Sequence, residues 1–271
     1  MADPQTPATP PSAGLLLIGD ELLSGKIRDE NGHHMAKTLR RLGIRFVEMA
    51  MVGDDAASIG DALLRLCRHA DVVFTSGGVG PTHDDITMAS IATATGRPLQ
   101  QHPEMAAQLR HHYGERLTNA ALSMADVPEG TRLRGAKGWP VMRLDLDRPE
   151  DPAQATVYIL PGVPSLFRAK LEHLETTGDL PQGDGWHLAL LHSTLDESKL
   201  ASHLDALLAK YDGVEIGSYP RWARGDDGSI DYHVRITFEG PARLASTVDQ
   251  ARDELAATLG PDALCESREP L

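Results

Sequence analysis

From Gly14 onward, short apolar runs alternate with stretches whose apolar residues recur at helical spacing, and this alternation predicts the architecture. "LLLIG" at residues 15–19 has the length and unbroken apolarity of a buried strand. "ENGHHMAKTLRRLG" then places Met35, Leu39 and Leu42 on one face, with Gly43 as a stop. "IRFVEMAMVG" reads as the next strand, "SIGDALLRLCRHA" as a helix carrying Ile59, Leu63, Leu66 and Ala70 on one side, and "DVVFT" as a third strand. Strand, helix, strand, helix, strand predicts a three-layer α/β fold, a mainly parallel sheet with helices on both faces.

Further along, "DITMASIATATG" has a helical pattern with Asp84 or Asp85 as N-cap and Gly96 as terminator, and "PEMAAQLRHHYG" is a helix opened by proline. "TVYILPGVPSLFRAKLEHLE" reads as a buried strand, a Pro-Gly turn and a helix from Pro164 with Phe167, Lys170 or Leu171, and Leu174 on its face. Turn formers cluster in "TTGDLPQGDGW", and the pattern changes there. The expected organisation is a disordered tail over 1–13, an α/β domain over 14–176 and a smaller α+β domain over 177–271. The second domain shows strict alternation at Ile230, Tyr232, Val234, Ile236 and Phe238, and a last helix with Leu244, Val248, Leu255 and Leu259. "GDDGS" at 225–229 reads as a hairpin turn.

Charge narrows the partners. A formal net charge of −13 over 271 residues, with no run of Lys and Arg, argues against nucleic acid and anionic membrane surfaces. The two cysteines, Cys67 and Cys265, form neither a disulfide framework nor a zinc site, which fits a reducing compartment, and a cytoplasmic protein is expected. The first fourteen residues carry neither a basic segment nor a long apolar one, so no signal peptide or membrane span is expected.

The chemistry concentrates in "SGGVGPTHDD", residues 76–85, which leaves the end of a strand and enters a helix. Gly77, Gly78 and Gly80 let the backbone approach a ligand and aim N–H groups at phosphate. The loop lacks the Gly-Lys-Ser/Thr of a P-loop and the Gly-x-Gly-x-x-Gly of a dinucleotide fingerprint. Asp84 and Asp85 would repel phosphate unless a divalent cation bridges them to it, so they are candidate metal ligands or, alternatively, helix caps. "IGDELLSGKIRDEN" also leaves a strand end; Asp20, Glu21, Ser24 and Asn31 can face the same crevice, or Asp20 and Glu21 can simply start a helix. "LPGVPS", with Pro161, Gly162 and Ser165, is the third segment that can line it, or simply a strand-to-helix junction. His83 reads as a solvated or capping residue or, alternatively, as an acid or base, and His33, His34, His111 and His112 as surface residues.

In order along the chain, "GDELLSG" with Asn31, "SGGVGPTHDDIT" and "LPGVPS" resemble the molybdopterin-binding (MoaB/Mog-like) domain superfamily. The similarity is greatest to the competence/damage-inducible protein A family and to the molybdopterin-binding-like domain of FAD synthases. The second half resembles, more weakly, the KH-like α+β domain that follows in those proteins, although no Gly-x-x-Gly loop is evident and RNA is not expected as a partner. The resemblance implies a metal-dependent hydrolase of a nucleotide pyrophosphate, ADP-ribose or FAD in kind, with magnesium or cobalt as cofactor. Asp84 and Asp85 would be catalytic, and Asp20, Glu21, Asp84 and Asp85 would hold the metal. Gly77, Gly78, Gly80, Thr82, Ser24, Asn31, Pro161, Gly162 and Ser165 would bind substrate. The alternative is a protein that binds molybdopterin or a nucleotide without turnover, in molybdenum cofactor metabolism. Relatives are homo-oligomers, and the same is expected here. Where many relatives carry Gly-Thr-Ala-Pro-Gly, this chain has "GAKGWPVMRLDLDRPEDPAQ". The sequence has too few residues past the last helix for the deamidase or FAD-forming domain of longer relatives, so neither activity is expected.

Overall fold

Alternation within the strands generates two separate cores in the first unit. In β1 (Ser12–Ile18) every residue is buried; Leu16 and Ile18 face one side of the sheet, and Leu15 and Leu17 the other. After α1 (Asp20–Leu23) and α2 (Asn31–Arg41) come β2 (Arg45–Val52), α3 (Ala56–His69) and β3 (Val72–Ser76). Leu16, Ile18 and Val73 pack with Ile59, Leu63 and Leu66 of α3, whereas Leu15, Leu17 and Phe74 pack with Met35 and Leu39 of α2. A period of two in the strands and of three or four in the helices therefore yields layers on both faces.

The structure is a computed structural model that describes residues 10–135, 139–148, 151–224 and 230–266. The expected tail falls mostly on residues outside that description, and its last two, Ser12 and Ala13, belong to β1. The expected hairpin turn at 225–229 also lies outside the described residues.

Next along the chain are α4 (Thr87–Ala94), β4 (Leu99–Gln101), α5 (Pro103–Tyr113), α6 (Asn119–Leu122) and β5 (Asp126–Pro128). They are followed by β6 (Arg132–Arg134), β7 (Val141–Arg148), β8 (Asp151–Leu160) and α7 (Pro164–Thr176). The main sheet runs β2-β1-β3-β8-β7-β6, parallel from β2 to β8 and antiparallel from β8 to β6. The antiparallel arm is a feature the sequence reading passed over. Met142, Leu144 and Leu146 of β7 alternate into the core, while Arg143 on the opposite side holds Asp145 at 2.9 Å.

One expectation about α4 is corrected. Neither Asp84 nor Asp85 caps it: the N-cap position is Ile86, with no side-chain cap. Thr87 instead ties the helix start to the glycine loop, its hydroxyl donating to the Gly77 carbonyl at 2.9 Å and its N–H to the Gly78 carbonyl at 3.1 Å.

The chain divides into two compact units between Gly183 and Asp184. The second comprises β9 (Trp186–Ser193), α8 (Glu197–Lys210), β10 (Glu215–Arg224), β11 (Ile230–Pro241) and α9 (Ala245–Leu259). Its antiparallel sheet runs β10-β11-β9, and Val234, Ile236 and Phe238 of β11 are fully buried with Leu200 of α8 and Val248 and Leu255 of α9. This is the small α+β unit that the alternation predicts. No helix among the described residues is long and apolar enough to cross a membrane.

Candidate active-site cleft

β1 and β3 lie side by side, and their carboxyl ends leave the sheet toward opposite faces, β1 toward α2 and β3 toward α4. Such a divergence opens a crevice beyond the strand ends. Here it is a cleft of about 1220 Å³, lined by Ile18 and Ser76 from the strand ends, by the glycine loop, and by α5, α7 and the residues before α2.

Asn31 joins the three sequence segments. Only 5% exposed, it donates through Nδ2 to Ser76 Oγ at 2.9 Å and to the Gly162 carbonyl at 2.7 Å. An amide nitrogen has two hydrogens, and both are used; turning the amide over would set Oδ1 against the Gly162 carbonyl oxygen, so the contacts fix its orientation. Asp29 places Asn31 by accepting from the Asn31 and Gly32 N–H groups at 3.0 and 3.1 Å, at the opening of α2.

Glycine is required where the strand ends crowd together. Gly77 has φ +114°, and a Cβ there would stand 2.2 Å from the Ile18 carbonyl oxygen; one on Gly162 would stand 3.2 Å from Gly77 Cα. The Gly77 N–H donates to the Leu160 carbonyl at 3.2 Å, binding the loop to β8. Beyond it, the N–H groups of Gly78, Val79 and Gly80 have no partner among the described residues, and all three residues line the cleft. Consecutive free N–H groups in a concave wall form an anion site.

The acidic residues do not converge. Asp20 opens the short helix α1 and points toward the turn after β2: its Oδ1 accepts from the Asp54 N–H at 3.2 Å, and its own N–H donates to Asp54 Oδ2 at 3.0 Å. Asp84 and Asp85 both turn back to Thr82, whose hydroxyl lies 2.5 Å from Asp84 Oδ1 and 2.6 Å from Asp85 Oδ2. The Thr82 hydroxyl holds the Asp84 carboxyl below the usual aspartate range, and Asp84 is absent from the cleft wall. Asp85 and Glu21 do line the cleft. Ser24, Thr82 and Ser165 are exposed and lie outside the lining, whereas Pro161 and Gly162 are part of it. No group of three or more His, Cys, Asp or Glu that could hold a metal ion occurs among the described residues. An all-protein cage of Asp20, Glu21, Asp84 and Asp85 is therefore not assembled. Glu21 and Asp85 fit a different donor set, a cation held by one or two carboxylates and completed by substrate phosphates.

The other wall was not singled out in the sequence. Tyr113 at the end of α5, Met124, Trp139 and Lys170 line it, and His112 meets Tyr113 edge to face with ring centroids 4.9 Å apart. His111 and His112 are exposed, as the sequence suggested, yet they also border the cleft. Their spacing relative to the loop carries no signal, because only packing of α5 brings them there. The cleft thus offers backbone N–H donors at one wall and flat aromatic surface at another, the needs of an anionic group and a planar ring.

Comparison with known proteins finds relatives for both units. Residues 14–177 match the family profile described as a probable molybdopterin binding domain, and residues 185–268 match that of the FAD synthase middle domain. A putative competence-damage inducible protein of Symbiobacterium thermophilum is 31% identical, over 91% of this chain and 59% of its own length. Protein PH0439 of Pyrococcus horikoshii is 32% identical, over 77% of this chain and 84% of its own. The crystal structure of the protein CinA, of unknown function, from Thermoplasma acidophilum superposes with a TM-score of 0.52 at 28% identity, covering 62% of this chain and 98% of that one. The chain spans 59% and 50% of the length of the first two bacterial relatives it matches.

Proposed function

The chain belongs to the molybdopterin-binding domain family, and from that premise we propose that its cleft binds and hydrolyses a nucleotide pyrophosphate. The resemblance to the competence-protein and FAD synthase families implies cleavage of an ADP-ribose- or FAD-like pyrophosphate, which makes this reaction class the natural one to test. The observation that carries the reading is the run of free N–H groups at Gly78, Val79 and Gly80 in the wall of a cleft that also has an aromatic side.

In this reading the loop N–H groups bind the pyrophosphate oxygens and oppose the charge that builds as water attacks phosphorus. The bridging P–O bond breaks, and two monoesters leave. Glu21 and Asp85 are the carboxylates that face the substrate; one of them accepts the proton of the attacking water. Glu21 and Asp85 are the residues that would hold a magnesium or cobalt ion, which would supply positive charge against the pyrophosphate. Tyr113 and Trp139 cover the ring and exclude water around it.

The geometry separates the two adjacent aspartates. With ADP-ribose or FAD and magnesium, Asp85→Asn is expected to lower release of the nucleoside monophosphate by on the order of 100-fold. Asp84→Asn, altering an exposed group outside the cleft, is expected to stay within about threefold of the unaltered protein. Equal losses in both variants, or no product from the unaltered protein, would refute the assignment. The outward turn of Asp20 and Asp84 favours a second reading, binding of a pterin phosphate or nucleotide without turnover. Saturable, chelator-insensitive binding with no product would select it.

A further inference from the structure

Residues 27–31 line the cleft between two fixed points. At one end the Ile27 N–H donates to the Glu21 carbonyl at 3.1 Å, and at the other the Asn31 amide donates to Ser76 Oγ at 2.9 Å and to the Gly162 carbonyl at 2.7 Å. Ser76 directly precedes the glycine loop, and Glu21 is one of the carboxylates in the cleft wall. Arg28 stands between these points, three residues before Asn31, so at most about 10 Å of chain separates its Cα from that of a residue bonded to the base of the loop. Its exposed guanidinium makes no hydrogen bond or ion pair among the described residues. The two acids that follow it are engaged elsewhere: Asp29 accepts from the Asn31 and Gly32 N–H groups, and Glu30 pairs with Arg168 at 2.5 Å. Lys170, the other Lys or Arg in the described wall, donates to the Trp139 carbonyl. In a chain of net charge −13, an arginine followed by two carboxylates and paired with neither leaves a guanidinium open to the cleft.

The consecutive N–H groups of Gly78, Val79 and Gly80 suit the oxygens of one phosphate. A pyrophosphate carries a second, and a guanidinium matches it with two parallel N–H donors. Resting on the pyrophosphate reading of the cleft, we propose that Arg28 binds the phosphate that the loop N–H groups do not, so that the cleft selects a pyrophosphate-bearing nucleotide over a nucleoside monophosphate. Hydrolysis of the bridging bond ends that selection, because each product carries one phosphate and engages the loop or Arg28 but not both.

The experiment is calorimetric titration with AMP and with α,β-methylene-ADP, whose bridging CH2 prevents hydrolysis, each with magnesium, for the unaltered chain, Arg28→Met and Arg28→Lys. The unaltered protein is expected to bind the diphosphate analogue at least about tenfold more tightly than AMP, and Arg28→Met to bring the analogue within about threefold of an unchanged AMP affinity. Arg28→Lys, which keeps the charge but not the fork of donors, is expected to lose at least about threefold of the preference. A preference that Arg28→Met leaves intact overturns the proposal, and so does an equal loss of both ligands, which would make Arg28 a source of general field only. Should Arg28→Met fail to show a cooperative melt, the preference in Arg28→Lys decides, and full retention there overturns the proposal. Failure of both ligands to bind the unaltered protein rejects the nucleotide reading of the cleft itself, whereas binding of both with a ratio indifferent to residue 28 rejects only the role of Arg28.

Discussion

Asn31→Ala is expected to lower pyrophosphate hydrolysis by on the order of 100-fold and to destabilise the first unit by about 3 kcal/mol. The magnitude follows from what the side chain holds. Its amide is the bond between the start of α2, the end of β3 and the turn after β8, and removal leaves the buried Ser76 hydroxyl oxygen, and the Gly162 carbonyl, without its donor. An unsatisfied buried group costs about 1–3 kcal/mol in addition to the lost bonds, and misplacement of a substrate-positioning element by about 1 Å can cost 100-fold in rate. Asn31→Asp keeps the shape but sets a carboxylate oxygen against the Gly162 carbonyl, so it should be at least as damaging as alanine. Urea midpoints and turnover numbers for the two variants check this; an Asp variant that behaves like the unaltered protein would mean that shape, not donation, is what matters at this position.

Gly77→Ala is expected to have the largest effect on stability, about 3–5 kcal/mol, a combination of backbone strain and overpacking. The new Cβ would lie 2.2 Å from the Ile18 carbonyl oxygen, a backbone atom of β1 that cannot rotate away, at a residue whose φ is +114°. Gly96 provides the control. Its φ is +65°, but a Cβ there would meet nothing within 4 Å, so Gly96→Ala should cost only about 1 kcal/mol of local conformational strain. Native domains are stable by roughly 5–15 kcal/mol, so the first substitution removes a large part of the total and the second does not. Denaturation curves showing equal shifts for the two would contradict the close approach of loop and strand.

Most of the first unit was legible because its residues answer to local rules. The buried strands β1 and β3 are unbroken apolar runs, and α2 and α3 show their buried faces at helical spacing with Gly43 closing the first. β7 was legible but unread: Met142, Leu144 and Leu146 alternate, yet charged residues between them resemble a loop until β8 is available to pair. In the cleft, the glycine loop, Asn31 and the Pro161–Gly162 turn were readable because turn residues at strand ends mark where a parallel sheet binds ligands. Two things were not. The direction of Asp20 is set by Asp54, 34 residues away, and no spacing in the sequence announces a reciprocal pair of N–H-to-carboxylate bonds. Tyr113, Trp139 and Lys170 reach the cleft from three separate segments, and only the folded sheet and helices bring them together there. Asp84 and Asp85 fit a cap by position, but a threonine two or three residues before them offers a nearer donor, and that local bond prevails.

The central claim is that residues 27–31, 76–80 and 161–164 form one site for a nucleotide pyrophosphate. Hydrogen–deuterium exchange of the protein with and without ADP-ribose and magnesium measures it directly. Slowed exchange in all three segments together on adding the ligand is the expected result. Protection missing from any one of them, or appearing only in residues 184–266, would contradict it.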